Sequence, residues 1–377
     1  MKASKRTILC VATAGLLLAL GCSNQATMST NRDEARQRWS ASRAEMATKL
    51  AQGCYQRGEF GRANEHIADL LRQNAPYAPL YVVAARLAAE KGDLDAARSY
   101  ADHATQLDPK LAEARYVLGT FEQTLGNTDA ALAQFGEAAR LDPNQSGYIL
   151  AQSELMVTQG NASQAAVVLS EAIGRLSGKS ELHAALGDVL SVLKRYSEAV
   201  GSYRIALRLS TDQQEELKER LAIALYYSGA YAEAATALAE LKVTGPDAAA
   251  GWAAHMRAEC LLALGRLDEA YDLYTAAAAA RPNAPAALIG LAKCDILSNR
   301  LPQARRFLEQ ALTRSPRDAE GNALMGYVLV AEGRSGEAVA HLELALKDPK
   351  LSDRAAVEKL LTGVRNGLKA GAAPAIQ

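Results

Sequence analysis

The sequence predicts an all-α chain built as a tandem array of helical hairpins, and three observations carry that prediction. Gly92 to Pro109, GDLDAARSYADHATQLDP, recurs as Gly126 to Pro143, GNTDAALAQFGEAARLDP, thirty-four residues further on. A fixed period of this size marks an architecture in which each unit buries its surface against its neighbours. Alanine stands five residues after the turn position of every unit, at Ala63, Ala97, Ala131, Ala165, Ala199, Ala234, Ala270, Ala304 and Ala338. No sustained period-two alternation occurs, and alanine, the best helix former, is abundant while aromatics make up only 5%.

The chain begins with an address. Lys2, Lys5 and Arg6 precede an apolar run from Ile8 to Leu20, followed by Gly21 and Cys22. A basic flank, a short apolar core and a small-residue end are the parts of a secretory signal. The run is short for a membrane-spanning helix. Leu18-Ala19-Leu20-Gly21-Cys22 resembles a bacterial lipobox, in which the cysteine is lipidated, although Ala19 stands where that pattern usually has leucine. Ser23 after the cysteine resembles an outer-membrane address. Lipidation of Cys22 is the favoured reading; plain secretion after cleavage before Cys22, and an uncleaved anchor, stay open.

Basic and acidic residues balance at 42 each, and loss of Lys2, Lys5 and Arg6 leaves the chain near −3. Nucleic-acid binding, which needs a basic stripe, is not expected. Cys54, Cys260 and Cys294 show no metal spacing and are expected as small buried hydrophobes. Cys260 and Cys294 sit one period apart on neighbouring helices, and such helices lie roughly 8–10 Å apart, too far for a disulfide. SNQATMST, from Ser23 to Thr30, reads as a flexible tether, and a long first helix follows, capped near Thr30.

The turn positions fix the register of the hairpins. Gly58, Gly92, Gly126 and Gly160 are spaced by thirty-four, Lys194 takes the next place, and Gly229, Gly265, Asn299 and Gly333 complete the row. Glycine, then asparagine, suits a turn needing positive φ, so a different turn is expected at Lys194. The alanine five residues on lets the second helix cross the first closely; a larger side chain would overpack by roughly 1–3 kcal/mol. A second mostly small row holds Ala104, Ala138, Ala172, Ala206, Ala277, Ala311 and Ala345. Bulky residues such as Ile67, Phe135, Tyr203 and Tyr274 lie between the rows. Pro109, Pro143, Pro246, Pro282 and Pro316 stop second helices. Repeats four and five end without proline, so a hinge is expected between Lys194 and Asp247.

These rows, with Leu118-Gly119, Leu186-Gly187 and Met325-Gly326 in the first helices, resemble the tetratricopeptide repeat family over about residues 44–352. The resemblance implies a right-handed superhelical solenoid of about nine helix-turn-helix repeats. Gly92, Gly126, Ala97, Ala131, Ala199 and Ala270 are then structural. The domain plan is a signal peptide at 1–21, a lipidated Cys22 with tether and start of the first helix at 22–43, and nine repeats at 44–352. A capping helix follows at 353–370 and a disordered tail at 371–377. Ser352 is expected to cap that last helix, with Val357, Leu360, Leu361, Val364 and Leu368 facing the array. Arg354, Glu358, Arg365 and Asn366 are expected to face water.

No residue set points to catalysis. GRLSGKS, Gly174 to Ser180, is one residue short of a phosphate-binding loop and follows a helix where a strand is needed, so it reads as a turn. His66, His103, His183, His255 and His341 fall on different units with no i, i+4 pairing. Neither an enzymatic activity, a cofactor, a metal nor a small-molecule substrate is expected.

The family resemblance places partner contacts on the concave face, at the second, fifth, ninth, twelfth and thirteenth residues of each repeat. Carried onto this chain, it selects Tyr55, Arg86, Glu113, Tyr116, Gln123 and Glu154 in the first half. Further along it selects Asp188, Glu216, Glu219, Tyr226, Tyr227, Trp252, His255, Glu259, Lys293 and Tyr327. Tyr226, Tyr227 and Trp252, beside Glu216, Glu219 and Glu259, form the expected hot spot for a Lys/Arg-bearing segment. Packing between repeats is the competing reading of the same aromatics. Only Arg86 and Lys293 are basic in this set, so the family's capture of chaperone carboxyl-terminal tails is not expected. The function expected is a periplasmic scaffold, tethered to the outer membrane, that binds a peptide or helix of an envelope protein, as in type IV pilus or exopolysaccharide secretion assembly. An adaptor for peptidoglycan enzymes or proteases, and a secreted repeat module without lipid, are the alternatives.

Overall fold

A computed structural model describes residues 35–212, 214–241, 248–282 and 284–370. The signal sequence, Cys22, the tether, the cap near Thr30 and the 371–377 tail lie outside the described residues. Within them the chain is all helix, nineteen helices with no strand. It divides into two compact units between Ser177 and Gly178. That division falls upstream of the segment expected to hinge. Through Lys194 to Leu241 consecutive helices pack on one another without a break, and residues 242–247 lie outside the described residues.

The first unit holds four hairpins: α1 (35–56) with α2 (Phe60–Arg72), α3 (Ala78–Glu90) with α4 (Leu94–Leu107), α5 (Ala112–Thr124) with α6 (Thr128–Leu141), and α7 (Ser146–Thr158) with α8 (Ala162–Arg175). The second unit pairs α9 (Ser180–Val192) with α10 (Tyr196–Leu209), α11 (Gln214–Tyr227) with α12 (Tyr231–Glu240), and α13 (Ala248–Ala263) with α14 (Leu267–Ala280). It continues with α15 (Pro285–Leu297) and α16 (Leu301–Arg314), then α17 (Ala319–Ala331) and α18 (Ser335–Ala345), and ends on α19 (Arg354–Ala370). GRLSGKS spans the end of α8 and the turn into α9, as a turn reading requires.

The alanine row is the axis of every hairpin. All nine alanines, from Ala63 to Ala338, have no exposed surface. In the second row Ala104, Ala138, Ala172, Ala206, Ala311 and Ala345 are equally buried, while Ala277 is half-exposed at the edge of a cavity. The first helix supplies a matching small residue: Ala51, Ala85, Gly119, Ser153, Gly187, Ala222, Ala258, Ala292 and Gly326. A bulky residue of the second helix lies on it. A Cβ built on Gly119 would come within 2.8 Å of the Phe135 ring, and one on Gly326 within 2.5 Å of Leu342. A large side chain set over a small one is what allows close-packed interiors without voids.

The turns are uniform, including the one expected to differ. Lys194 takes φ +58° and Asn299 φ +57°, in the same left-handed region as the seven turn glycines. Lys194 N–H donates to the Ser191 carbonyl at 3.0 Å and Arg195 N–H to the Leu190 carbonyl at 2.8 Å. Gly92 and Asp93 make the same two bonds, at 2.9 and 3.0 Å. The bonds that close the helix hold the backbone there, and the side chain has to comply. The Arg300 turn is pinned further by Asp295, 1% exposed, whose Oδ1 accepts from Arg300 Nε at 2.7 Å.

At the C-terminal end Val357, Leu361 and Val364 are buried against the last hairpin. One expectation fails there. Leu368 is half-exposed, because the last turn of α19 runs past the surface it covers. Arg354 keeps 43% of its side chain exposed and pairs with Glu358, while its Nη1 donates to the Leu346 carbonyl at 2.8 Å, filling an acceptor at the end of α18. The helix begins at Arg354, one residue beyond the start a Ser352 cap implies. Cys54, Cys260 and Cys294 are free and buried, and burial pushes the latter two thiols up to about 11.

Candidate functional site

First helices carry the candidate site, since second helices are committed to the alanine seams. In the first unit Arg86 pairs with Glu113 at 2.9 Å, and Tyr116 packs its ring 5.0 Å from Tyr148 and 5.6 Å from Phe135. Tyr55 donates to Glu90 at 2.8 Å. Gln123 and Glu154 are exposed, and Glu154 has no cationic partner among the described residues.

In the second unit the predicted acids lie in two built networks. Asp188, at the ninth place of its repeat, accepts from the Tyr203 hydroxyl at 2.7 Å and from Arg220 Nη1 at 2.6 Å. Arg220 also donates to Glu216 at 2.5 Å. Burial raises the Asp188 carboxyl above its ordinary value despite both donors, and raises the Tyr203 phenol as well. The second network repeats the plan seventy-one residues on. Glu259 accepts from Tyr274 at 2.7 Å and from Lys293 at 3.0 Å, and Lys293 reaches Glu320 at 2.6 Å. His255 stands 3.9 Å from Glu259. Here burial works against the charge, but Lys293 and the phenol outweigh it and hold Glu259 below the usual carboxylate range. Glu259 and Glu320 in turn keep Lys293 above its own range against burial. Glu219 stays exposed without an ion-pair partner among the described residues.

The expected aromatic patch is divided. Tyr226 lines a cavity of about 690 Å³ in front of α11, α13, α15 and α17. Glu259, Lys293 and Glu320 line it too, as do Leu262, Ile296, Leu297 and Leu324, and the Asp348–Asp353 connection with Val357 bounds it. Trp252 and His255 instead line a separate cavity of about 670 Å³ among Leu273, Ala277, Arg281 and Ala287. Trp252 stands two turns from Glu259 along one face of α13, yet it packs on the cluster that holds Leu217 and Leu238. Tyr227 is exposed and stacks on Tyr196 at 5.1 Å, on the turn side of Tyr226. Tyr327 is 37% exposed.

Sequence reasoning missed Leu297, 61% exposed, and Glu320, though both obey the same positional rule. It also missed Arg220, which sits at an unruled position but stands four residues after Glu216, a readable helical ion-pair spacing.

Family models described as tetratricopeptide repeat match residues 82–146, 219–285 and 261–326. The chain carries tetratricopeptide repeats. The matched stretches cover most of α3, α4 to α6, and most of α11 to α17, and such repeats serve as protein-interaction scaffolds. No curated protein matches the chain. Among solved structures it is similar to Pseudomonas aeruginosa pilF, at 16% identity and TM-score 0.48 over 54% of this chain and 92% of that one. It is similar to yeast Tom70, at 12% identity and TM-score 0.41 over 86% and 96%. A tetratricopeptide repeat protein from Parabacteroides merdae matches at 15% identity and TM-score 0.38 over 77% and 99%.

Proposed function

We propose that this tetratricopeptide repeat chain is a periplasmic scaffold, held at the outer membrane through lipid on Cys22, that binds a segment of another envelope protein on its first helices. The observation that carries the reading is the cavity lined by Tyr226, Glu259, Leu297 and Glu320. It combines an exposed leucine and a tyrosine with a charged wall, the pairing of apolar anchor and polar orientation typical of recognition sites. Its wall holds five carboxylates, Glu259, Asp318, Glu320, Asp348 and Asp353, against Lys293 and Lys350. Lys293 is already spent on Glu259 and Glu320, so the surplus favours a Lys/Arg-bearing segment. Assembly of type IV pili or of exopolysaccharide secretion machinery is the setting such a scaffold suits, with no catalytic step of its own.

Capture from detergent-solubilised envelope tests the reading. The wild-type protein should retain a partner whose binding weakens with salt, and Tyr226→Ala with Leu297→Asp should lose it with helicity intact. Retention by that variant moves the site elsewhere, and capture of a peptidoglycan hydrolase or protease favours an adaptor instead. The tether is tested separately: Cys22 should incorporate labelled palmitate, and a Cys22→Ala protein should leave the membrane fraction.

A further inference from the structure

Helix α1 presents two faces of opposite use. Ala44, Thr48, Ala51 and Cys54 are buried against the array. On the other side Trp39, Met46 and Leu50 are 67%, 68% and 52% exposed. Their spacing, with Arg43 between them, is i, i+4, i+7 and i+11, which places all four on one stripe. The Arg43 guanidinium lies 5.8 Å over the Trp39 ring. The helix carries Arg36, Arg38, Arg43 and Lys49 against the single acid Glu45. Isolated exposed apolar residues need no explanation, but three large ones in one stripe with a basic border do.

We propose that this face of α1 rests on an anionic phospholipid surface. An apolar stripe containing tryptophan, bordered by arginine and lysine, is the design of a helix that lies in a membrane interface. The basic border adds attraction to anionic headgroups. The same charges argue against a second copy as the occupant. Face-to-face pairing of two α1 helices sets Arg36, Arg43 and Lys49 against their own kind. Packing on α19, the helix with exposed Leu368, meets exposed Lys359 and Arg365. The inference uses the membrane-side location proposed above but not the acyl chain. Twelve residues, 23 to 34, lie between Cys22 and the described helix, so a tethered chain would hold α1 within reach of the surface.

The test uses the chain from Ser23 onward, which keeps every described helix and cannot be acylated at Cys22. It should co-sediment with vesicles of phosphatidylethanolamine and phosphatidylglycerol, and far less with phosphatidylcholine vesicles. Trp39→Ala, Met46→Ala and Leu50→Ala together should lower partitioning by about tenfold or more without changing the melting temperature, since all three are exposed. Arg36→Gln, Arg43→Gln and Lys49→Gln should weaken binding and remove its salt dependence. In a Trp252→Phe background, Trp39 is the only tryptophan, and its emission should shift to the blue on the anionic vesicles. Absence of vesicle binding by the unsubstituted protein overturns the proposal, as does binding unchanged in the triple alanine variant. A dimer that the triple variant dissolves, without vesicle binding, also overturns it and names a second copy as the occupant. Failure here leaves palmitate labelling of Cys22 untouched, so the two readings fall separately.

Discussion

The ring of Tyr203 lies on Gly187, where a built Cβ would come within 2.6 Å of Cε1, and its hydroxyl reaches past that glycine to Asp188 at 2.7 Å. One glycine thus lets a second-helix side chain cross the first helix and hold a carboxylate on its far side. Gly187→Ala is expected to destabilise the protein by about 1–3 kcal/mol through overpacking. The same substitution in a Tyr203→Ala background should cost far less. Thermal melting of the four proteins in this cycle checks the coupling.

Lys293 binds Glu259 and Glu320 together, with Glu259 one-fifth exposed. Lys293→Met leaves Glu259 short of its partner and is expected to cost about 2–4 kcal/mol, below the full range for wholly buried pairs. Adding Glu259→Gln should recover part of that loss. Recovery is read from urea midpoints, and its absence would assign the cost to lost packing of the lysine stem.

The pH dependence follows from the same pair. Glu259 is held below its ordinary 4.5 in the folded chain, burial being outweighed by Lys293 and Tyr274. Its contribution is therefore present above about 4.5 and lost as pH falls through the lower folded value. Asp188 runs the other way, because burial raises it, so protonation on acidification relieves a cost. Between pH 6 and 3 the wild type should lose more stability than Glu259→Gln, and Asp188→Asn should lose more than the wild type. Denaturant titrations across that range measure both differences.

Lys194 holds a left-handed turn that glycine holds elsewhere. Lys194→Gly is expected to stabilise by about 0.5–1 kcal/mol, because a Cβ is strained in that region. Gly92→Ala should destabilise by about 1–2 kcal/mol for the same reason. Opposite shifts in melting temperature are the check, and shifts of one sign would mean the turns differ in something besides φ.

Much of the fold was legible in the sequence because the requirement repeats. Ala97, Ala131 and their seven counterparts each meet the same crossing of two helices, so one cause writes itself nine times at a fixed period. The candidate site was legible only as positions. The family pattern selects Asp188, Glu216 and Glu259, but not that Arg220 and Lys293 neutralise them: Asp188 and Glu259 each meet a cation from the next repeat, and Arg220 reaches Glu216 within its own helix. It places Tyr226 and Trp252 in adjacent repeats, yet the two rings line different cavities.

The sequence by itself determined the hairpin period, the small residues at each crossing and the turn sites, all local properties of a thirty-four-residue unit. Tertiary structure decided the rest. It forced Lys194 into a conformation its type disfavours, because helix-closing hydrogen bonds on both sides outweigh one strained side chain. It left the stripe of Trp39, Met46 and Leu50 exposed, because the helices that pack on α1 among the described residues meet its other face. It also chose which surplus charges stay unpaired, a matter of distances between repeats that no single repeat encodes.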